Sequence, residues 1–157
     1  MQIKLCCIGK TDDPRLQELI QQYAMRLSHY TKFELVCLPD IKQRKSLSVN
    51  EQKEKEGNLF LKHIPDKEQI VLLDDKGKTL DSAAFAQYVS KKQMSGSKRI
   101  WFLIGGPYGF PSVIYDRATE KLSLSRMTFS HQMIRLLFVE QLYRAHTILK
   151  NEPYHHP

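Results

Sequence analysis

The sequence predicts an α/β domain: a mainly parallel sheet with helices on both faces. Continuously apolar runs at residues 70–73 and 100–104, with the largely apolar stretch 3–8, read as short strands buried on both sides, since a sheet with one wet face would alternate apolar with polar. Between them lie segments whose apolar residues recur at helical spacing, so strands alternate with helices in the manner of βαβ units. A length of 157 residues suits one domain with a sizeable core and is too short for two. No internal repeat, low-complexity tract or Gly/Ser linker divides the chain, so a single domain over 1–157 is expected.

The elements follow in order. Residues 3–8 form the first strand. Asp13 caps a helix that opens with Pro14, after which Leu16, Leu19, Ile20, Tyr23, Ala24 and Leu27 keep helical spacing. A strand returns at 33–38, followed by a basic loop carrying Lys42, Arg44 and Lys45. Ser48 with Glu51 makes a capping box for a polar helix ending near His63, whose low apolar content predicts a place outside the core. The second half repeats the alternation: a strand at 70–73, a loop at 74–78, a helix capped by Asp81 and carrying Phe85, Tyr88 and Val89, a strand at 100–104 and another at 122–124. The last helix runs from a Ser130 cap to about Lys150. One stripe holds Ile134, Leu137, Phe138, Leu142, Ala145, Ile148 and Leu149, and a second holds Leu136, Val139 and Tyr143. A helix apolar on two sides is covered on both, which predicts a homodimer packed on this helix.

Composition removes several classes. With 41% hydrophobic and 26% charged residues the chain has the balance of a globular protein, neither disordered nor fibrous. No apolar run approaches the ~18 residues needed to span a bilayer, and no secretory signal pattern opens the chain, so a cytoplasmic protein is expected. Cys6, Cys7 and Cys37 offer neither metal-ligand spacing nor an even disulfide set, and buried thiols are the expectation. Four of the six histidines, His131, His146, His155 and His156, fall in the final part at a spacing that matches no zinc pattern, and no metal is expected. A net charge of +7 favours a polyanionic partner such as RNA, because lysine and arginine release counterions from phosphates.

Ligands of a parallel sheet bind beyond the C-terminal ends of its strands. The loops there are 74–78, the glycine turn Gly105-Gly106-Pro107-Tyr108-Gly109, and 125–129. The glycines allow close backbone approach to a ligand; equally, they serve a tight turn. No P-loop, dinucleotide fingerprint or hydrolase elbow is present, which disfavours ATP hydrolysis, dinucleotide binding and serine-hydrolase chemistry. On the last helix, Glu140 and Arg144 stand four residues apart, either an ordinary surface ion pair or part of a site. The tail through Tyr154, His155 and His156 is either loose or able to stack on an unpaired base.

The series Leu72-Leu73-Asp74 with Gly77-Lys78, Leu103-Ile104-Gly105-Gly106-Pro107-Tyr108-Gly109, Leu122-Ser123-Leu124-Ser125-Arg126-Met127-Thr128, then His131, Arg135, Glu140-Gln141, Tyr143-Arg144-Ala145 and Tyr154-His155, resembles the minimal large-subunit ribosomal RNA methyltransferases of the SPOUT class. The likeness covers essentially the whole chain. It implies a C-terminal trefoil knot within about 70–157, a homodimer, and S-adenosylmethionine bound by Leu72, Leu73, Gly105, Gly106, Leu122, Leu124, Ser125, Arg126, Met127, Thr128 and Phe129. The implied substrate is N3 of a pseudouridine in 23S ribosomal RNA, reached on the assembled ribosome. Because N3 carries a proton, transfer requires a base or a positive charge that favours the anion. The corresponding expectations are Arg144 for the charge, His155 for the proton, Tyr154 to stack on the base and Glu140 to orient Arg144. The alternatives are an inactive ribosome- or RNA-binding protein of the same fold and a flavodoxin-like domain that binds another nucleotide.

Overall fold

The computed structural model describes residues 1–156. Its strands are β1 (Gln2–Ile8), β2 (Lys32–Leu38), β3 (Gln69–Thr79), β4 (Arg99–Ile104) and β5 (Glu120–Ser123), and its helices α1 (Pro14–Leu27), α2 (Val49–His63), α3 (Ser82–Met94), α4 (Ser112–Arg117) and α5 (Met133–Leu149). The strands form one all-parallel sheet in the order β2-β1-β4-β3-β5. The predicted fold class is the observed one.

Strand alternation divides the interior into two cores. Ile3, Leu5 and Cys7 of β1, Val71 of β3 and Ile100, Phe102 and Ile104 of β4 face α1, α3 and α5. Cys6, Ile8, Ile70, Leu72, Trp101 and Leu103 face the other way, onto Phe60 and Ile64 at the end of α2 and Ile114 of α4. Trp101 is 2% exposed. Its indole N–H donates to Glu68 Oε2 at 2.9 Å, with Lys4 Nζ 4.8 Å from the ring centre and His63 edge-on.

The predicted caps hold. Asp13 accepts from the Arg15 amide, Ser48 and Glu51 form the reciprocal box, and Asp81 accepts from the Ala84 amide at 2.7 Å. Ser130 accepts from the Met133 amide through its hydroxyl and from the Ile134 amide through its carbonyl, although regular helix begins only at Met133.

Four expectations are corrected. Far from lying outside the core, α2 covers the second face of the sheet. It buries Gln52, Glu56, Gly57 and Phe60, and at Gly57 the segment after β4 approaches too closely for any side chain, since one would lie 2.5 Å from Pro111 Cγ. Residues 74–78 are not simply a loop: β3 breaks register after Leu73 and resumes pairing at Lys78 and Thr79, opposite Leu122 and Ser123. A side chain at Gly77 would come within 2.8 Å of the Leu122 backbone, so only glycine permits this return. Val139 belongs to the first core rather than to an opposite stripe, because α5 lies between α1 and α3 and is covered on three sides. Cys37 is exposed, on β2 at the sheet edge beside buried Cys7.

After α5 the chain turns back through Asn151, whose φ of +55° is tolerated by its small polar side chain. The Glu152 amide donates to the Thr147 carbonyl at 2.9 Å, and Tyr30 donates to the Glu152 carboxylate. The tail is thereby laid over α5.

Candidate functional site

Parallel pairing sets Leu73 beside both Ile104 and Leu122. The segments after β3, β4 and β5 therefore leave one sheet edge side by side, as a ligand site of a parallel sheet requires. In the middle segment the Gly109 amide donates to the Gly106 carbonyl at 3.1 Å, closing a turn around Pro107 and exposed Tyr108, with Gly109 at φ +78°. A side chain at Gly105 would meet the Gly109 backbone at 3.2 Å. This turn presents backbone.

In the segment after β5, Ser123 Oγ donates to the Ser125 carbonyl at 2.7 Å, and the Met127 amide donates to Ser125 Oγ at 2.9 Å. Leu124 and Ser125 are half-buried, whereas Arg126, Met127, Thr128 and Phe129 are exposed, Met127 to 74%. Leu122 and Leu124, with Ser123, Leu80, Phe85, Lys78 and Gln141, line a mostly apolar pocket of about 30 Å³ at this edge. Leu73 is half-buried beside it. Leu72 is fully buried in the second core, so only its backbone belongs to the edge.

The expected catalytic side chains mostly converge. Arg144 donates to Glu140 Oε1 through Nε at 3.1 Å and Nη2 at 2.6 Å. The Tyr154 hydroxyl donates to the same oxygen at 3.0 Å and lies 3.2 Å from the Tyr23 hydroxyl, with the Arg144 guanidinium 4.7 Å from the Tyr154 ring centre. The carboxylate pushes the Arg144 pKa up. Burial, then the Tyr23 and Glu140 contacts, push the Tyr154 hydroxyl well above its ordinary value and keep it a donor. Gln141 joins this cluster to the sheet edge: its Nε2 donates to Glu140 Oε2 at 2.8 Å, its Oε1 accepts from Ser82 at 2.8 Å, and its side chain lines the apolar pocket. His155 stays outside the cluster, and its buried Nδ1 has no hydrogen-bond partner among the described residues.

Two residues escaped the functional reading of the sequence. Arg135, wholly buried, donates to the carbonyls of His131, Ile8 and Gly9 and to Thr11 Oγ1, all within 3.2 Å, and so pins α5 to the end of β1. Its spacing with Phe138, Val139 and Leu142 was the available signal, an arginine within a core stripe. Glu56 is 2% exposed and packs behind Gly106. The signal there was the row Gln52, Glu56, Phe60, two polar groups in line with a core aromatic.

A family model described as "Predicted SPOUT methyltransferase" matches residues 1–155. The chain belongs to the SPOUT methyltransferase family. Among curated relatives named "Ribosomal RNA large subunit methyltransferase H", it is 56% identical to that of Christiangramia forsetii, 57% to that of Flavobacterium johnsoniae and 55% to that of Parabacteroides distasonis, each over 156 residues and 99% of both chains. SPOUT membership implies the C-terminal trefoil knot, and with it a methyl donor as co-substrate. Among the described residues no group of three or more His, Cys, Asp or Glu side chains is placed to hold a metal ion, and no helix is long and apolar enough to cross a membrane.

Proposed function

We propose that this SPOUT protein is an S-adenosylmethionine-dependent methyltransferase acting on N3 of a pseudouridine in 23S ribosomal RNA, on the assembled ribosome and in the cytoplasm, as a homodimer. The observation that carries this reading is end-to-end similarity, at 55–57% identity, to relatives named for methylation of large-subunit ribosomal RNA. The edge built by Leu73, Gly105 and 122–129 suits the cofactor: leucine side chains offer apolar walls to an adenine, and the exposed 126–129 backbone offers donors and acceptors to its polar atoms. When bound, S-adenosylmethionine supplies an electrophilic methyl group.

The chain's own residues do the rest. Gly105 and Gly106 admit the ligand close to backbone, leaving no side chain in the way. Arg144 places a positive charge where the N3 anion forms, and Glu140 fixes the guanidinium's orientation. Tyr154 supplies a ring to stack on the base, and His155 takes the proton. Holding two reactants in line contributes up to about 7–11 kcal/mol in favourable cases. The outer side of α5 exposes Met133, with Leu136 and Leu137 half-covered and Met127 and Phe129 exposed nearby in sequence, an apolar face suited to a second copy. The +7 charge of each subunit then serves docking to ribosomal RNA.

Calorimetric titration with S-adenosylmethionine, FMN and ATP, followed by single-turnover methylation of ribosomes with nucleoside analysis, tests the reading. S-adenosylmethionine alone should bind, and N3-methylpseudouridine should form. Ribosome binding without cofactor binding would replace this reading with that of an inactive binding protein. Deleting residues 154–157 should abolish methylation while sparing cofactor affinity; an unchanged rate would remove the tail from the mechanism.

A further inference from the structure

We infer that Glu56 is a positioning residue, whose buried carboxylate behind Gly106 seats the 105–109 turn in the shape that ligand binding needs. The inference rests on the reading of that turn as a wall of the methyl-donor pocket.

Two close approaches fix the turn and its continuation against α2. A side chain at Gly106 would overlap both carboxylate oxygens of Glu56, and one at Gly57 would lie 2.5 Å from Pro111 Cγ. The carboxylate occupies the space a side chain at 106 would take, so the turn rests on it. Glu56 is also an expensive residue to bury: among the described residues it forms no ion pair, although a leucine or methionine of similar length would satisfy packing. Among the described residues its one side-chain donor is Gln52 Nε2 at 3.0 Å, itself a buried polar group placed one turn earlier. Glu56 and Gln52 thus form a polar seat in an otherwise apolar face, directed at the turn.

The charged groups around the seat are few. Arg44 and Asp40, from the segment after β2, pair with each other at 3.3 Å and act on Glu56 in opposite senses. Burial pushes the Glu56 carboxyl up, while Gln52, Arg44 and the Gly106 backbone pull it back. The carboxylate oxygens fill the space beside the Gly106 Cα, so the position of the Glu56 side chain limits how that part of the turn can tilt.

Two measurements test this. In the unliganded protein, the Gly106 amide resonance should shift with pH as Glu56 titrates, and the shift should vanish in Glu56→Gln; a Gly106 amide insensitive to pH overturns the inference. Calorimetry with S-adenosylmethionine should show at least tenfold weaker binding for Glu56→Ala, with Glu56→Gln within threefold of the parent because its amide oxygen still accepts. Parental affinity in Glu56→Ala overturns the inference, and thermal melting of both variants separates lost positioning from lost folding. Should the parent fail to bind S-adenosylmethionine, the proposed function falls, and the Gly106 titration alone decides the role of Glu56.

Discussion

Arg135 and Arg144 stand nine residues apart on one helix and live under opposite conditions. Arg135 has no solvent exposure and, among the described residues, no carboxylate partner; its charge is met by three backbone carbonyls and one hydroxyl, from the end of β1 and the loop after it and from just before α5. The Arg144 side chain is 24% exposed, bound to Glu140 by a fork of two hydrogen bonds and stacked on Tyr154. A guanidinium satisfied by rigid backbone cannot leave without breaking the fold. One held by a side-chain carboxylate at the surface can exchange that partner for a nucleic acid at modest cost. The same residue type therefore acts as a rivet at one end of α5 and, in the proposed mechanism, as a reagent near the other.

The comparison makes quantitative claims. Arg135→Met should destabilise the protein by about 3 kcal/mol or more in denaturant unfolding, because it strands several buried acceptors. A loss below 1 kcal/mol would end the contrast. Arg144→Ala should lower single-turnover methylation about 100-fold, or about 2.7 kcal/mol in activation free energy, while changing stability by less than about 1 kcal/mol. If both variants lose stability equally, Arg144 is structural as well.

A third test concerns His146, two residues beyond Arg144, which is 4% exposed, stacked on Tyr30 and, among the described residues, without a partner at Nε2. Burial, and then Lys150, lower its pKa from 6.5 to about 4. The unfolded chain takes up this proton first, so the stability contributed by neutral His146 is complete above pH 6.5 and is lost as pH falls toward 4. Chemical denaturation across that window should show a slope of at most about 1.4 kcal/mol per pH unit from this group, absent in His146→Gln. Tyr154→Phe should give the smallest effect, about 1 kcal/mol of stability and less than tenfold in methylation, since the stacking ring remains after its hydroxyl contacts are lost.

Much of the fold was legible in the residues themselves. Asp13, Ser48 and Asp81 announce their helices, unbroken apolar runs announce the first half of β3 and β4, and a largely apolar stretch announces β1. What escaped depends on contacts distant in sequence. The role of α2 is hidden because Gly57 and Glu56 meet Pro111 and Gly106, 54 and 50 positions away, and a polar helix with two core residues at its end resembles a solvated one. The second half of β3 is invisible because Asp74, Asp75 and Lys76 have turn composition, and only the tight fit of Gly77 on Leu122 explains the return. At the site, the sequence order of the three loops was readable, but their adjacency follows from strand order, which places β4, β3 and β5 side by side. Arg135 escaped because arginine is ordinarily a surface residue, and nothing local marks one as buried.

Trp101, the only tryptophan in the chain, gives the two cores separate optical signatures. It lies on the α2 side of the sheet, whereas Tyr23, Tyr30, Tyr143 and Tyr154 cluster where α1, α5 and the tail meet on the opposite side. Indole emission reports on one layer, and tyrosine absorbance is weighted toward the other. Transitions that coincide in both signals would mark a single cooperative unit, and a lag between them would show which layer peels from the sheet first.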